Sequence, residues 1–139
     1  RLIDNDLISK INILGASEQI LLSNGLSRQK CTYVKALANE DINYDDLAKK
    51  SSEEVVSRLI QIKGIGKWTA QIYCLFSLGQ ANIFPSGDLA LQESIKIVFG
   101  LELRPSEQEV IEISENWHPW KSLAAHLLWA YYNKIKKKE

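Results

Sequence analysis

The chain has 139 residues, of which 45% are hydrophobic and 24% charged, the proportions of a globular domain long enough to bury a core. Lysine plus arginine and aspartate plus glutamate each number 17, so the net charge is zero. That excludes a protein that holds nucleic acid by bulk electrostatics, though not one that uses a few placed contacts.

No apolar run approaches the length of a membrane span, and nothing at the start reads as a signal peptide. Cys31 and Cys74 both lie in helical apolar patterns and read as buried thiols, not as a disulfide or metal site. The compartment expected from this is reducing and cytoplasmic. The chain contains no methionine and opens "RLIDND", which leads us to expect a processed or partial chain.

In chain order the sequence reads as almost all helix. Residues 1–17 match no clear pattern. Glu18 to Leu22 is a short apolar helix that stops at Asn24-Gly25. "SRQKCTYVKALANE" places Cys31, Val34, Leu37 and Ala38 on one face. Ser51-x-x-Glu54 is a capping box that opens a helix with Val55, Leu59 and Ile62 inward. Lys67 to Leu78 is a strongly apolar helix ended by Gly79, and Asp88 to Phe99 is another, closed by Gly100. Ser106-x-x-Glu109 repeats the capping box, and Pro119 opens a last helix to about Lys134. No stretch keeps a period of two, so strands are not expected. Glu102, Glu107, Glu109, Glu112 and Glu115 crowd one segment. Lys134, Lys136, Lys137 and Lys138 crowd the end, where they read as a solvated terminus, with phosphate contact as the alternative.

Two segments carry chemistry. In "IQIKGIGKWTAQ" a helix stops, turns and restarts within about four residues. Gly64 and Gly66 permit backbone angles that side chains forbid, and they admit another chain closely. The first free N–H groups of the next helix, Gly66 to Thr69, then form a phosphate site that carries no base preference. Lys63 and Lys67 bracket it with charge. A helix-to-helix turn without any ligand is the alternative. The second segment is "NIFPSGDLALQ", where turn formers Pro85 and Gly87 set Asp88 at a helix N-cap. Such an aspartate either satisfies backbone N–H groups alone or serves as a fixed carboxylate beside aromatic rings. Trp68 and Tyr73 precede it; Trp117, Trp120 and Trp129 follow. His118 and His126 have no companions at metal-ligand spacing and read as structural or surface groups.

Gly64-Ile65-Gly66, Trp68-Thr69-Ala70 and Phe84-Pro85-x-x-Asp88, in this order, resemble the helix-hairpin-helix (HhH-GPD) DNA glycosylases, most of all the 3-methyladenine DNA glycosylase II branch. "LLSNGLSRQKCTYVKALA" resembles a helix pair of that family, and "WHPWKSLAAHLLW" its closing helix, so matching segments run from about residue 18 to residue 132. The resemblance implies an all-α fold in a single domain over 1–139, with the hairpin at about 59–70 and a catalytic loop at about 79–88. It implies a monofunctional enzyme of base excision repair that hydrolyses the N-glycosidic bond of alkylated purines and leaves an abasic site. Asp88 would be the catalytic carboxylate, stabilising positive charge at the sugar C1′. Trp68 and Trp129, with Tyr73 near them, would line the pocket for the flipped base. A cationic alkylpurine would gain about 0.5–2 kcal/mol per tryptophan face. Lys63, Gly64, Ile65, Gly66, Lys67 and Thr69 would grip a DNA phosphate.

The bifunctional branches place a Schiff-base lysine two positions after the second hairpin glycine; here Trp68 stands there and Lys67 one position earlier. Two cysteines cannot supply the four thiolates of an iron–sulfur cluster. No cofactor or metal is expected beyond, at most, a monovalent cation on the hairpin carbonyls. The implied partner is double-stranded DNA with damaged bases, met by a monomer with no membrane association, in the cytoplasm at a bacterial nucleoid. Lys121 stands where the family has arginine, which weakens any forked contact there. The family's earlier helices, which carry the residue wedged into the duplex, find no match in 1–17, so the domain is expected to lack its N-terminal helices. A catalytically inactive helix-hairpin-helix DNA-binding fragment therefore remains the alternative, and an all-helical interaction domain that never meets DNA a third reading. The sequence does not choose among 3-methyladenine, 7-methylguanine, ethenoadenine and hypoxanthine.

Overall fold

Short polar side chains decide where most of the helices begin. In the computed structural model, which describes residues 1–137, seven helix starts have a Ser, Asn or Asp side chain accepting a backbone N–H of the first turn. No strand occurs among the described residues, and no helix there is long and apolar enough to cross a membrane. The fold is all-α, as the sequence predicts. Lys138 of the basic tail lies outside the described residues. The chain forms two compact units that divide between Gly66 and Lys67.

The first unit holds a 3₁₀ turn at Ile3–Asn5 and the helices α1 (Lys10–Gly15), α2 (Glu18–Ser23), α3 (Arg28–Asn39), α4 (Tyr44–Leu47) and α5 (Ser52–Leu59). α1 and α2 pack against α3 around Leu7, Ala16, Leu21 and Cys31, with Leu2, Leu22, Leu26 and Val34 at the margin. Residues 1–17, without a pattern in sequence, thus contribute Leu7 and Ala16 to this core. The sequence reading missed α1 and α4 because six and four residues are too few to display a helical period. Leu37, assigned to the inner face of α3, is 37% exposed. It lies six residues past Cys31, about 120° round the axis, so it reaches only the edge of the buried stripe. α5 opens with both halves of its capping box, and Val55, Leu59 and Ile62 are buried as expected. Arg58 Nη2 bonds Glu40 Oε2 at 2.7 Å and ties α5 to the end of α3.

The second unit holds α6 (Lys67–Phe76), α7 (Leu89–Phe99), α8 (Glu107–Glu115) and α9 (Lys121–Lys136). α7 packs on α9 and α8, and Ser94 Oγ donates to the Leu128 carbonyl at 3.0 Å. Leu91 and Ile95 are fully buried, each stabilising the fold by about 1.5–3 kcal/mol. Cys74 is a buried thiol outside any disulfide, as is Cys31 in the first unit. α6 ends at Phe76, two residues before the expected Leu78; the Leu78 and Gln80 N–H groups then reach back to the Tyr73 and Cys74 carbonyls, with Gly79 between them at a φ of 63°. α9 starts at Lys121, later than Pro119, because residues 117–120 close a turn of their own through Trp120 N–H and the Trp117 carbonyl.

Between α6 and α7 the chain returns through a loop in which Ile83, Phe84, Pro85 and Ser86 are buried. A buried loop must satisfy its backbone groups. Ser122, in the first turn of α9, does much of this. Its N–H donates to the Ala81 carbonyl at 2.9 Å, and its hydroxyl lies 2.6 Å from the Gln80 carbonyl, 3.0 Å from the Ile83 carbonyl and 3.3 Å from the Ile83 N–H. Ser122→Ala should lower the free energy of unfolding by about 1–3 kcal/mol, because buried backbone groups lose their partner. Urea unfolding measures the loss, and amide exchange at Ile83 should accelerate; an unchanged midpoint would show that water replaces the hydroxyl at no cost.

Candidate active site

The return loop ends in a tight turn. Ser86 N–H donates to the Phe84 carbonyl at 2.8 Å and Asp88 N–H to the Pro85 carbonyl at 2.9 Å. Two buried amides clamp it: Gln92 Nε2 donates to the Ser86 carbonyl at 2.9 Å, and Gln71 Nε2 to the Phe84 carbonyl at 3.4 Å. The turn delivers Asp88 to the N-cap of α7, where Oδ1 accepts from the Ala90 and Leu91 N–H groups at 2.9 and 3.0 Å. The capping role foreseen for Asp88 is therefore real, but it is not the whole of its environment.

Two tryptophans complete it. Trp129 Nε1 of α9 donates to Oδ1 at 3.2 Å, and Trp68 Nε1 of α6 donates to Oδ2 at 2.9 Å. All four partners are donors, so both oxygens act as acceptors, the pattern a carboxylate satisfies. The bonds are unevenly shared, three on Oδ1 and one on Oδ2. Oδ2 keeps an unused acceptor site. The positive end of the α7 dipole lies behind the group.

Around this carboxylate the aromatic rings sort themselves. Trp68 is 48% exposed, and Trp129 is partly buried with Phe76 stacked on it at 5.7 Å and 24°. His126 meets the Phe76 and Trp129 rings edge-on at 5.2 and 6.0 Å. Phe76 escaped the sequence reading; its i, i+8 spacing from Trp68 on one helix was the signal that could have found it. Tyr73 lies five residues past Trp68, about 140° round the α6 axis, while Phe76 takes the place against Trp129. Trp117 packs on Phe84 at 5.2 Å, and Trp120 is exposed. His118 Nδ1 pairs with Asn82 Nδ2 at 2.9 Å. Lys121 Nζ contacts Glu115 Oε1 at 2.5 Å with its side chain largely covered.

The two turn glycines have different reasons to be glycine. At Gly64 φ is 94°, and an added Cβ would lie 2.1 Å from the Tyr33 ring, so its own chain occupies the space a side chain needs. At Gly66 φ is not positive and nothing lies within 4 Å of a Cβ position, so neither backbone nor packing demands glycine there. Gly66 also offers no side-chain oxygen to the first N–H groups of α6, whereas a polar side chain caps seven other helices. Lys63 and Thr69 are exposed and Ile65 is partly buried. Lys67 is not a free charge: its Nζ lies 2.6 Å from Glu107 Oε1. That hydrogen bond, against an opposing desolvation, holds the Glu107 carboxyl below its ordinary value, and the Ser86 hydroxyl adds to it at 3.3 Å.

No protein-family model matches the chain. It is 30% identical over 122 residues to the alkylbase DNA glycosidase-like protein mag2 of Schizosaccharomyces pombe, an alignment covering 84% of this chain and 57% of that protein. It is 34% identical over 95 residues to the DNA-3-methyladenine glycosylase of Bacillus subtilis, covering 68% of this chain and 31% of that one. The solved structure of the 3-methyladenine DNA glycosylase Mag1 of Schizosaccharomyces pombe, in complex with abasic DNA, superposes with a TM-score of 0.80 at 29% identity, over 87% of this chain and 61% of that one. The chain belongs to the helix-hairpin-helix DNA glycosylase superfamily. It spans less than two thirds of the length of each of these relatives.

Two measurements follow from the geometry. Trp129→Phe and Trp68→Phe keep a ring and delete the N–H donated to Asp88. Each should lower unfolding stability by about 1–3 kcal/mol, with the more buried Trp129 costing more. Equal stability in all three proteins would mean that the indole bonds contribute nothing net. The Glu107 shift also has a sign. A carboxyl held below its unfolded value contributes stability at neutral pH, which is lost as the pH falls through its folded value. Lys67→Ala should raise the Glu107 titration, followed by NMR, and shrink that acid-side loss. Both side chains are about half exposed, so the stability change will be small.

Proposed function

We propose that this chain carries the chemistry of a monofunctional DNA glycosylase that hydrolyses the N-glycosidic bond of alkylated purines, of the 3-methyladenine type, in double-stranded DNA. The observation that carries the reading is the Asp88 carboxylate, held at a helix N-terminus by two indole N–H groups and left with an unused acceptor site on Oδ2. Bond cleavage builds positive charge at the sugar C1′, and a fixed anion offsets it without reorganising. Oδ2 is the oxygen able to meet that charge, or to accept a proton from the attacking water. The indole rings of Trp68 and Trp129, already oriented by their bonds to Asp88, offer faces to a flipped and cationic base. Releasing the base as a hydrolysis product leaves an abasic site.

Phosphate contact is assigned to residues 63–69. The bare Gly66 supports it, since a backbone that comes close there meets no side chain. Lys63 adds an exposed charge, whereas Lys67 brings one already offset by Glu107. Side chains from Lys63 to Trp68 contain no oxygen, so a monovalent cation at the turn would rest on main-chain carbonyls alone. The lysine nucleophile of the bifunctional branches has no counterpart two positions past Gly66.

Asp88→Asn tests the reading. Asparagine keeps the helix cap through its one oxygen but turns an NH2 toward the Trp68 N–H, so the chain should stay folded at a cost of about 1–3 kcal/mol. Incubated with duplex DNA carrying 3-methyladenine and 7-methylguanine, the parent chain should release free bases and the variant about a hundredfold fewer. Duplex affinity should hold or rise as one anion is removed, and borohydride should trap no adduct with either protein. Undiminished release by the variant would overturn the assignment of Asp88. No release by either, with duplex binding intact, would establish the binding module instead.

A further inference from the structure

Glu107 stands outside the carboxylate–tryptophan cluster, yet three parts of the second unit meet at its side chain. It is the first residue of α8. Its Oε1 accepts from Lys67 Nζ, at the first residue of α6, at 2.6 Å, and from Ser86 Oγ at 3.3 Å. Its Oε2 lies 3.6 Å from where a Gly87 Cβ would be, so the carboxylate occupies the space beside Gly87. Ser86 is 1% exposed and two residues before Asp88. Its carbonyl is fixed by Gln92 and its N–H by the Phe84 carbonyl, which leaves the hydroxyl for Glu107.

We propose that Glu107 is a positioning residue for Asp88: its carboxylate, steadied by Lys67, holds the Ser86 hydroxyl and so sets the turn that aims Asp88 between the two indoles. The Lys67 bond limits the rotamers open to Glu107, and the bond to Ser86 limits the rotation of the turn about its Gln92 clamp. Glu107 touches no reacting atom. Its effect passes through Ser86 and Gly87 to the backbone of Asp88, and the part of the test that reads turnover rests on the glycosylase reading above.

The test separates geometry from turnover. The indole N–H groups of Trp68 and Trp129 both donate to Asp88, so their NMR resonances report its placement whether or not any base is released. Glu107→Ala and Ser86→Ala should each shift both resonances, leaving that of the 62%-exposed Trp120 in place. Glu107→Gln, which keeps an oxygen for Ser86, should restore them. In single-turnover base release, the two alanine variants should slow by about tenfold or more, the double variant no further, and Glu107→Gln should return most of the rate. Ser86→Ala removes only a hydroxyl and keeps the test open should Glu107→Ala fail to fold. Unshifted Trp68 and Trp129 resonances in both alanine variants would overturn the proposal, as would losses in rate that add. Shifted indoles in a chain that releases no base would support the positioning role while the glycosylase reading failed.

Discussion

The second unit is organised around one carboxylate that must be an acceptor four times over. Asp88 cannot leave its place without stranding two backbone N–H groups of α7 and two indole N–H groups, from α6 and α9. Each of those helices is in turn fixed by apolar burial, through Ala70 and Cys74, Leu91 and Ile95, and Ala125 and Leu128. Donors from three elements converge on this partly buried group and satisfy its oxygens. The same convergence places two large aromatic faces beside it. The cap that starts α7 is therefore also what points the carboxylate.

Everything between α6 and α7 serves to bring that residue back. The loop is buried, so its polar groups need partners from outside it, and these come from Ser122, Gln92, Gln71 and Glu107. Small or flexible polar side chains at the starts of α8 and α9 are the economical solution, since they reach the loop without displacing the core. The pairing of Lys67 with Glu107 belongs to this framework as much as to any DNA-facing surface. It shows why a lysine beside a turn cannot be counted as free positive charge from sequence alone.

The turn before α6 separates two demands that look alike in one-letter code. Gly64 is required by the chain itself, through its positive φ and the Tyr33 ring. At Gly66 neither constraint applies: φ is not positive, and nothing lies within 4 Å of a Cβ position.

Much of this was legible in the sequence. Capping boxes at Ser51 and Ser106, the glycine stop at Gly100, and the apolar stripes of α5, α6 and α7 specified those helices, because capping and periodicity act over a few neighbouring residues, although α6 ends at Phe76, short of the expected Leu78. The motif order led to Asp88, Trp68 and Trp129, which the structure brings together. The short α1 and α4 were lost, since too few residues reveal no period, and Leu37 was set too deep, since a helical stripe has edges that spacing alone does not locate. Phe76 over Trp129, the Glu107–Lys67–Ser86 linkage and the split roles of the two glycines could not be read. Each joins residues far apart in sequence, or turns on the space around a Cβ. The sequence by itself determined the helices and the residue types available for chemistry, because both follow from local chemistry. Which donors share one carboxylate, and which cation is already paired, only the tertiary structure decided, because hydrogen bonds and ion pairs depend on distances that exist only after the chain has packed.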